Sequence, residues 1–148
     1  MLSKAISIVA QAFENKKDKG GKPYILHCLV VMFDGSQDEE EMCIRVMHDL
    51  VEDTDWTIEK LRALNVFTER VLKGVDAMTH KEGVHYDDYI KSIALNEDKA
   101  VIDGKRADLR HNSNITRLKY FLKKYTIALR ASVASRRREL DCISTISI

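Results

Sequence analysis

Cys43-Ile44-Arg45-Val46-Met47-His48-Asp49-Leu50-Val51-Glu52-Asp53-Thr54 is the stretch on which the reading of the chain turns. Cys43, Val46, Met47 and Leu50 recur with the spacing of one helix face. The acidic run Asp38-Glu39-Glu40-Glu41 before them suits the positive end of a helix. On such a helix His48 and Asp49 project about 100° apart, so two ligands can reach one ion from a single turn. Glu52 and Asp53 follow one turn later on the same two faces. Ionisable groups this dense beside Val46, Met47, Leu50 and Val51 are costly near a core unless something cationic pairs them. By itself the stretch also reads as a solvated helix end with ordinary surface carboxylates.

Outward from it, helical periodicity dominates. Leu2, Ala5, Ile6, Val9, Ala10 and Phe13 follow one face towards the N-terminus. Thr57, an N-cap type, with Lys60 and Leu61 opens a short helix. Phe67, Val71, Val75 and Met78 make a further stripe, Tyr86, Tyr89, Ile90 and Ile93 another, and Leu118, Phe121, Leu122, Tyr125, Ala128 and Leu129 a longer one. These stripes, methionines and tyrosines included, are expected to pack in the core. The clearest loop is Gly20-Gly21 ahead of Pro23, the single proline. No alternating stretch bounded by turn signals suggests a strand, and no heptad persists as a coiled coil would require. The expected fold is all-α, a compact multi-helix domain spanning 1–148, with a tail over 141–148 that frays.

Composition bounds the function. At 148 residues the chain has the size of one domain and needs no staples to fold. Lys plus Arg number 24 against 23 for Asp plus Glu, so no bulk charge draws in nucleic acid or an anionic membrane. Arg136-Arg137-Arg138 is too short to change that. Three cysteines, Cys28, Cys43 and Cys142, are odd in number and lack metal-type spacing, so they read as reduced thiols. With no membrane-length apolar run and no signal-peptide layout, the cytoplasm is the expected compartment.

Two further segments bear on the metal. His27 follows Pro23-Tyr24-Ile25-Leu26 at the start of an apolar helix, where a lone histidine is usually a satisfied core residue. Asp108 lies in Lys105-Arg106-Ala107-Asp108-Leu109-Arg110-His111-Asn112, where an i,i+4 ion pair is the plainer role. Taken with His48 and Asp49, they supply two imidazoles and two carboxylates. That donor set suits a divalent ion such as manganese better than a closed structural zinc site, and leaves positions for water and a phosphate oxygen.

His27, His48-Asp49 and Asp108, in that order, resemble the H…HD…D signature of HD-domain phosphohydrolases. Pro23-Tyr24-Ile25-x-His27, His48-Asp49-Leu50-Val51-Glu52-Asp53-Thr54 and Ala107-Asp108-Leu109-x-His111-Asn112 are similar to the hydrolase domain of RelA/SpoT-type alarmone enzymes, over about residues 5–124. The resemblance implies an HD-domain fold and a manganese-dependent hydrolase that removes the 3′-pyrophosphate from (p)ppGpp. It implies His27, His48, Asp49 and Asp108 as metal ligands, and Glu52 and Asp53 as the pair that positions and activates water. Lys19, in the basic loop, Tyr24 and Asn112 would meet the nucleotide. With no room for a synthetase domain, the chain resembles the small stand-alone hydrolases.

Some positions depart from the family pattern. Where an Arg-Lys-x-Gly-x run holds the guanine base, this chain has Asp18, Lys19, Gly20, Gly21 and Lys22, with Lys16 and Lys17 nearby as partial compensation. Phe13 stands for a family histidine, and Cys28 for the proline after the first metal histidine. An HD phosphohydrolase acting on another nucleotide, or a catalytically silent nucleotide-binding module, are the alternatives. A small-molecule nucleotide is the expected partner, rather than nucleic acid or membrane, and a homo-oligomer is compatible with the sequence. His80 and His85 are expected to face solvent, and His111 to support the site without ligating. Trp56 is expected to pack beneath the turn after Thr54.

Overall fold

The structure, a computed structural model, describes residues 1–114. These hold eight helices and no named strand: α1 (Leu2–Ala12), α2 (Ile25–Phe33), α3 (Glu39–Val46), α4 (Leu50–Asp53), α5 (Ile58–Ala63), α6 (Glu69–Met78), α7 (Tyr86–Ala94) and α8 (Lys99–Asn112). The all-α expectation holds. The stripe over Leu118–Leu129, the Arg136-Arg137-Arg138 run and the tail over 141–148 lie outside the described residues. Among the described residues, Met1–Asp18 and Lys22–Ser113 form one compact unit, and Lys19–Gly21 and Asn114 belong to a second. In that second unit Gly21 has φ +79°, a left-handed conformation that glycine adopts without steric cost. No described helix is long and apolar enough to cross a membrane.

Side-chain caps set where the helices begin. Asp38 accepts from the Glu41 amide at 2.9 Å, with Glu39, Glu40 and Glu41 filling the positive first turn of α3. Thr57, as expected, accepts from Lys60 at 3.2 Å and starts α5. Thr68, His85 and Asp98 do the same for α6, α7 and α8.

Helix α3 is the hub, packing against α1, α2, α6 and α8. Its residues Cys43, Ile44, Arg45 and Val46 are all buried. The α3–α6 approach is close because position 74 is glycine: a Cβ there would lie 2.5 Å from Cδ1 and 2.7 Å from Cγ1 of Ile44. Around the hub pack Ala5, Val9 and Phe13 of the N-terminal segment, Val71, Leu72 and Val75 of α6, and Tyr89 and Ile93 of α7. Trp56 packs partly buried against this core, its amide held by the Thr54 hydroxyl.

Two expectations are corrected. The helix expected to run on through His48 and Asp49 stops at Val46 and restarts at Leu50. Met47 (φ −94°, ψ 7°) and Asp49 (φ −103°, ψ 0°) leave the helical basin, and the Leu50 amide bonds back only three residues, to Met47. The periodic pattern survives the break because Met47 and Leu50 are both still fully buried. Tyr86 is the second correction. It was expected in the core, yet 48% of it is exposed, while Tyr89 in the same helix is buried.

Candidate metal centre and its surroundings

The interruption between α3 and α4 creates the site. Freed from helix geometry, His48 and Asp49 turn their side chains to one point, where Asp49 Oδ2 lies 2.8 Å from His48 Nε2. Helix α2 brings His27, whose Nε2 is 3.1 Å from His48 Nε2 and 3.5 Å from Asp49 Oδ2. Helix α8 brings Asp108, with Oδ1 3.3 Å from His27 Nε2 and 3.7 Å from His48 Nε2. His27, His48 and Asp108 are almost wholly buried. Those three form a group that could hold a metal ion, and Asp49 closes on both of its histidines. Ligands about 2.0–2.2 Å from one ion sit roughly 2.8–3.6 Å from each other; all of these separations fall in that range except His48–Asp108, which is 0.1 Å longer.

Tautomers make the same point. The Arg45 carbonyl, 2.8 Å from His48 Nδ1, can only accept, so Nδ1 carries the hydrogen and Nε2 turns a lone pair inward. That lone pair faces two carboxylates and a second imidazole, so it needs a shared proton or a cation between them. Burial disfavours charge on His27, but hydrogen bonds to Asp108 and Asp49 outweigh it and raise its pKa. Burial likewise opposes ionisation of Asp49, yet His48 beside it and hydrogen bonds from His27, His48 and Tyr24 hold the carboxyl well below the usual range. Asp108 is lowered the same way, with Lys105 Nζ 2.9 Å away adding its charge. Lys105 is an i,i+3 partner, so the plain ion-pair reading of Asp108 is present in addition to the cluster.

The surroundings orient these groups. His111 Nδ1 is 2.6 Å from His27 Nδ1, and the two rings lie edge to edge in nearly one plane, at 9° with centroids 4.9 Å apart. This is the supporting role expected of it. The Tyr24 hydroxyl donates to Asp49 Oδ2 at 2.6 Å, so Tyr24 braces a cluster carboxylate. Asn112 Nδ2 donates to Asp108 Oδ1 at 2.6 Å. Glu52 and Asp53 stand exposed on α4: Glu52 accepts from the His80 amide at 3.0 Å, and Asp53 from Lys16 Nζ at 2.6 Å.

No protein-family model matches the chain. Among curated proteins it is similar to a guanosine-3′,5′-bis(diphosphate) 3′-pyrophosphohydrolase of Aquifex aeolicus, 32% identical over 120 residues, 75% of this chain and 17% of that protein. It is 28% identical over 126 residues to a GTP pyrophosphokinase of Streptomyces coelicolor, 78% of this chain and 15% of the relative. A probable 3′-pyrophosphohydrolase of Synechocystis matches at 28% over 124 residues, 76% of this chain and 16% of the relative. The chain carries a RelA/SpoT-type domain. It spans less than a fifth of the length of these relatives.

In this RelA/SpoT-type domain the lysine-rich loop differs from its expected layout. Asp18 does not stand free at the position where a base-holding side chain was expected. Its carboxylate accepts from the Lys22 amide at 2.9 Å and its own amide bonds the Lys22 carbonyl at 2.8 Å, closing the turn next to the Lys17–Pro23 bridge. Lys16 is the residue turned towards the centre. Its ammonium pairs with Asp53 and lies 4.2 Å from the Tyr24 ring centroid. Lys19 falls in the second compact unit.

His80 also departs from expectation. It is half-buried, stacked on Tyr89, with its ring 2.8 Å from the Val84 carbonyl, while His85 is exposed and caps α7. Sequence reasoning missed Arg45, buried at 3% exposure, whose carbonyl fixes His48 and whose guanidinium donates to the Asp34 carbonyl. The one signal for it was an arginine inside an otherwise apolar helical stripe.

Proposed function

We propose that the chain is a metal-dependent phosphohydrolase that removes the 3′-pyrophosphate from (p)ppGpp, with manganese as its ion. The observation that carries this reading is the inward convergence of His27, His48, Asp49 and Asp108 beside the Glu52–Asp53 pair. Two of the relatives reported above are named for that reaction.

In this reading His27, His48, Asp49 and Asp108 hold the ion. When bound, a divalent ion supplies Lewis-acid polarisation of a phosphoryl oxygen and makes water a stronger acid. The rest of the work falls to the chain. His111 and the Arg45 carbonyl keep both imidazoles in the ligating tautomer. Tyr24 and Asn112 fix the two carboxylates, and in this reading each also meets the nucleotide.

Glu52, whose carboxylate accepts from the His80 amide, takes the proton from the attacking water. Asp53, held in place by its ion pair with Lys16, orients that water. The new O–P bond forms at the phosphorus attached to the ribose 3′ oxygen. The P–O3′ bond breaks, the 3′ oxygen gains a proton, and pyrophosphate leaves. Lys19 offers positive charge to the substrate phosphates.

The test is a nucleotide panel that includes ppGpp, its adenine counterpart and nucleoside mono- and triphosphates. Each is incubated with metal-stripped and manganese-loaded protein and assayed for released phosphate or pyrophosphate. Manganese-dependent release of pyrophosphate from ppGpp is expected. Full activity after stripping overturns the metal dependence, and preferred turnover of another nucleotide overturns the substrate.

A further inference from the structure

The connection between α6 and α7 gathers aromatic rings for which the hydrolytic centre described above has no use. His80 stacks on Tyr89 with centroids 4.9 Å apart and planes at 30°. Tyr86 stands edge-on to His80 at 5.9 Å and 84°, and 6.1 Å from Tyr89. The inner part of this group is rigid: Tyr89 is buried and its hydroxyl donates to the Met78 carbonyl, while the His80 ring is held at the Val84 carbonyl. The outer part is open, with Tyr86 48% and Val84 43% exposed.

The group is joined to the metal centre at two points. The His80 amide holds Glu52 at 3.0 Å. Lys105 lies 5.2 Å from the Tyr89 centroid and pairs with Asp108 at 2.9 Å. Core packing accounts for Tyr89 but not for Tyr86, which leaves about half its surface in water while its neighbours fix its position. A half-exposed aromatic ring on a fixed support, linked through His80 to the proposed base, has the chemistry of a stacking surface.

We infer that Tyr86, backed by His80 and Tyr89, is the platform on which the nucleobase of the substrate stacks. The inference rests on the nucleotide-hydrolase reading above and adds where the base is held. A neutral ring offers a π face to guanine and adenine alike, so this contact strengthens purine nucleotides generally and discriminates little between them. Stacking is made in ground and transition states alike, so its loss raises KM and leaves kcat in place.

Equilibrium binding tests this without turnover. Guanosine 5′-diphosphate and inorganic pyrophosphate are titrated by calorimetry into manganese-loaded wild type, Tyr86→Ala and Tyr86→Phe, with melting temperatures as a check on folding. The expected result is a loss of roughly 5- to 150-fold in GDP affinity for Tyr86→Ala, the range for one stacked base. Pyrophosphate binding should be unchanged, and Tyr86→Phe should keep wild-type GDP affinity. An unchanged GDP Kd in Tyr86→Ala overturns the platform. So does equal loss in Tyr86→Phe, or wild type that binds GDP no tighter than pyrophosphate. The hydrolase reading fails differently: wild type would turn over no nucleotide on the panel, while the Tyr86 dependence of GDP binding still decides the platform.

Discussion

Replacing His111 with alanine removes a group that touches no proposed substrate atom but fixes one of the proposed metal ligands. His27 has two ring nitrogens, and for Nε2 to present a lone pair to an ion the hydrogen must sit on Nδ1. His111 Nδ1, 2.6 Å away, accepts that hydrogen, and this in-plane contact between rings at 9° holds the His27 ring in its orientation. In His111→Ala the buried Nδ1–H loses this acceptor, and His27 can rotate or change tautomer. Losing such a supporting contact costs about 10- to 100-fold in metal affinity, or about 1.4–2.7 kcal/mol at 1.36 kcal/mol per decade. The short separation and the burial of His27 place this variant towards the upper end of that range. The assay is calorimetric titration of manganese into stripped wild type, His111→Ala and His111→Gln. A glutamine carbonyl can replace the acceptor, so it should recover part of the affinity. At saturating manganese the turnover of His111→Ala should stay within a few-fold of wild type. Manganese binding by His111→Ala with the wild-type Kd would refute the reasoning.

Glu52→Gln should bind manganese normally and lose roughly 10²–10⁴-fold in kcat, read by single-turnover assay, because the amide cannot take the water proton. Asp108→Ala should lose the metal and leave the Lys105 ammonium buried without its carboxylate, at a cost of about 3–5 kcal/mol in urea unfolding of the metal-free protein. Asp98→Asn keeps an N-cap for α8 but gives up the charge that Arg70 stabilises, the hydrogen bond from Arg70 holding the Asp98 carboxyl below its ordinary range. With the folded pKa below the unfolded one, this stabilisation is present above the usual carboxylate pKa and is lost as pH falls through the folded value. The melting temperatures of wild type and Asp98→Asn should therefore differ at neutral pH and converge in acid. Gly74→Ala should destabilise by up to about 2 kcal/mol in thermal unfolding, as overpacking against Ile44 outweighs the gain in helix propensity.

Local patterns in the chain were enough to define helix identity and donor chemistry. The apolar stripes gave α1, α3, α6 and α7 because burial of one face leaves a 3.6-residue period in any sequence, and the Thr57 cap gave α5. The donor set was legible because two imidazoles and two carboxylates amid apolar residues carry a burial cost that only pairing or a cation removes. Periodicity could not disclose the break at Met47–Asp49, since Met47 and Leu50 stay buried whether the backbone is helical or turned there.

What tertiary structure alone decided is which distant groups share a proton, an ion or a face. His27 and His111 are 84 positions apart and meet at 2.6 Å only because α2 and α8 pack together. Asp18, which stands where the family pattern has its base-holding arginine, is committed to Lys22, while Lys16 reaches Asp53 across 37 positions. Tyr86 and Tyr89 have the same spacing logic and opposite fates, one half in water and one buried. Sequence spacing fixes direction along one helix, and contact between helices depends on packing that no single segment encodes.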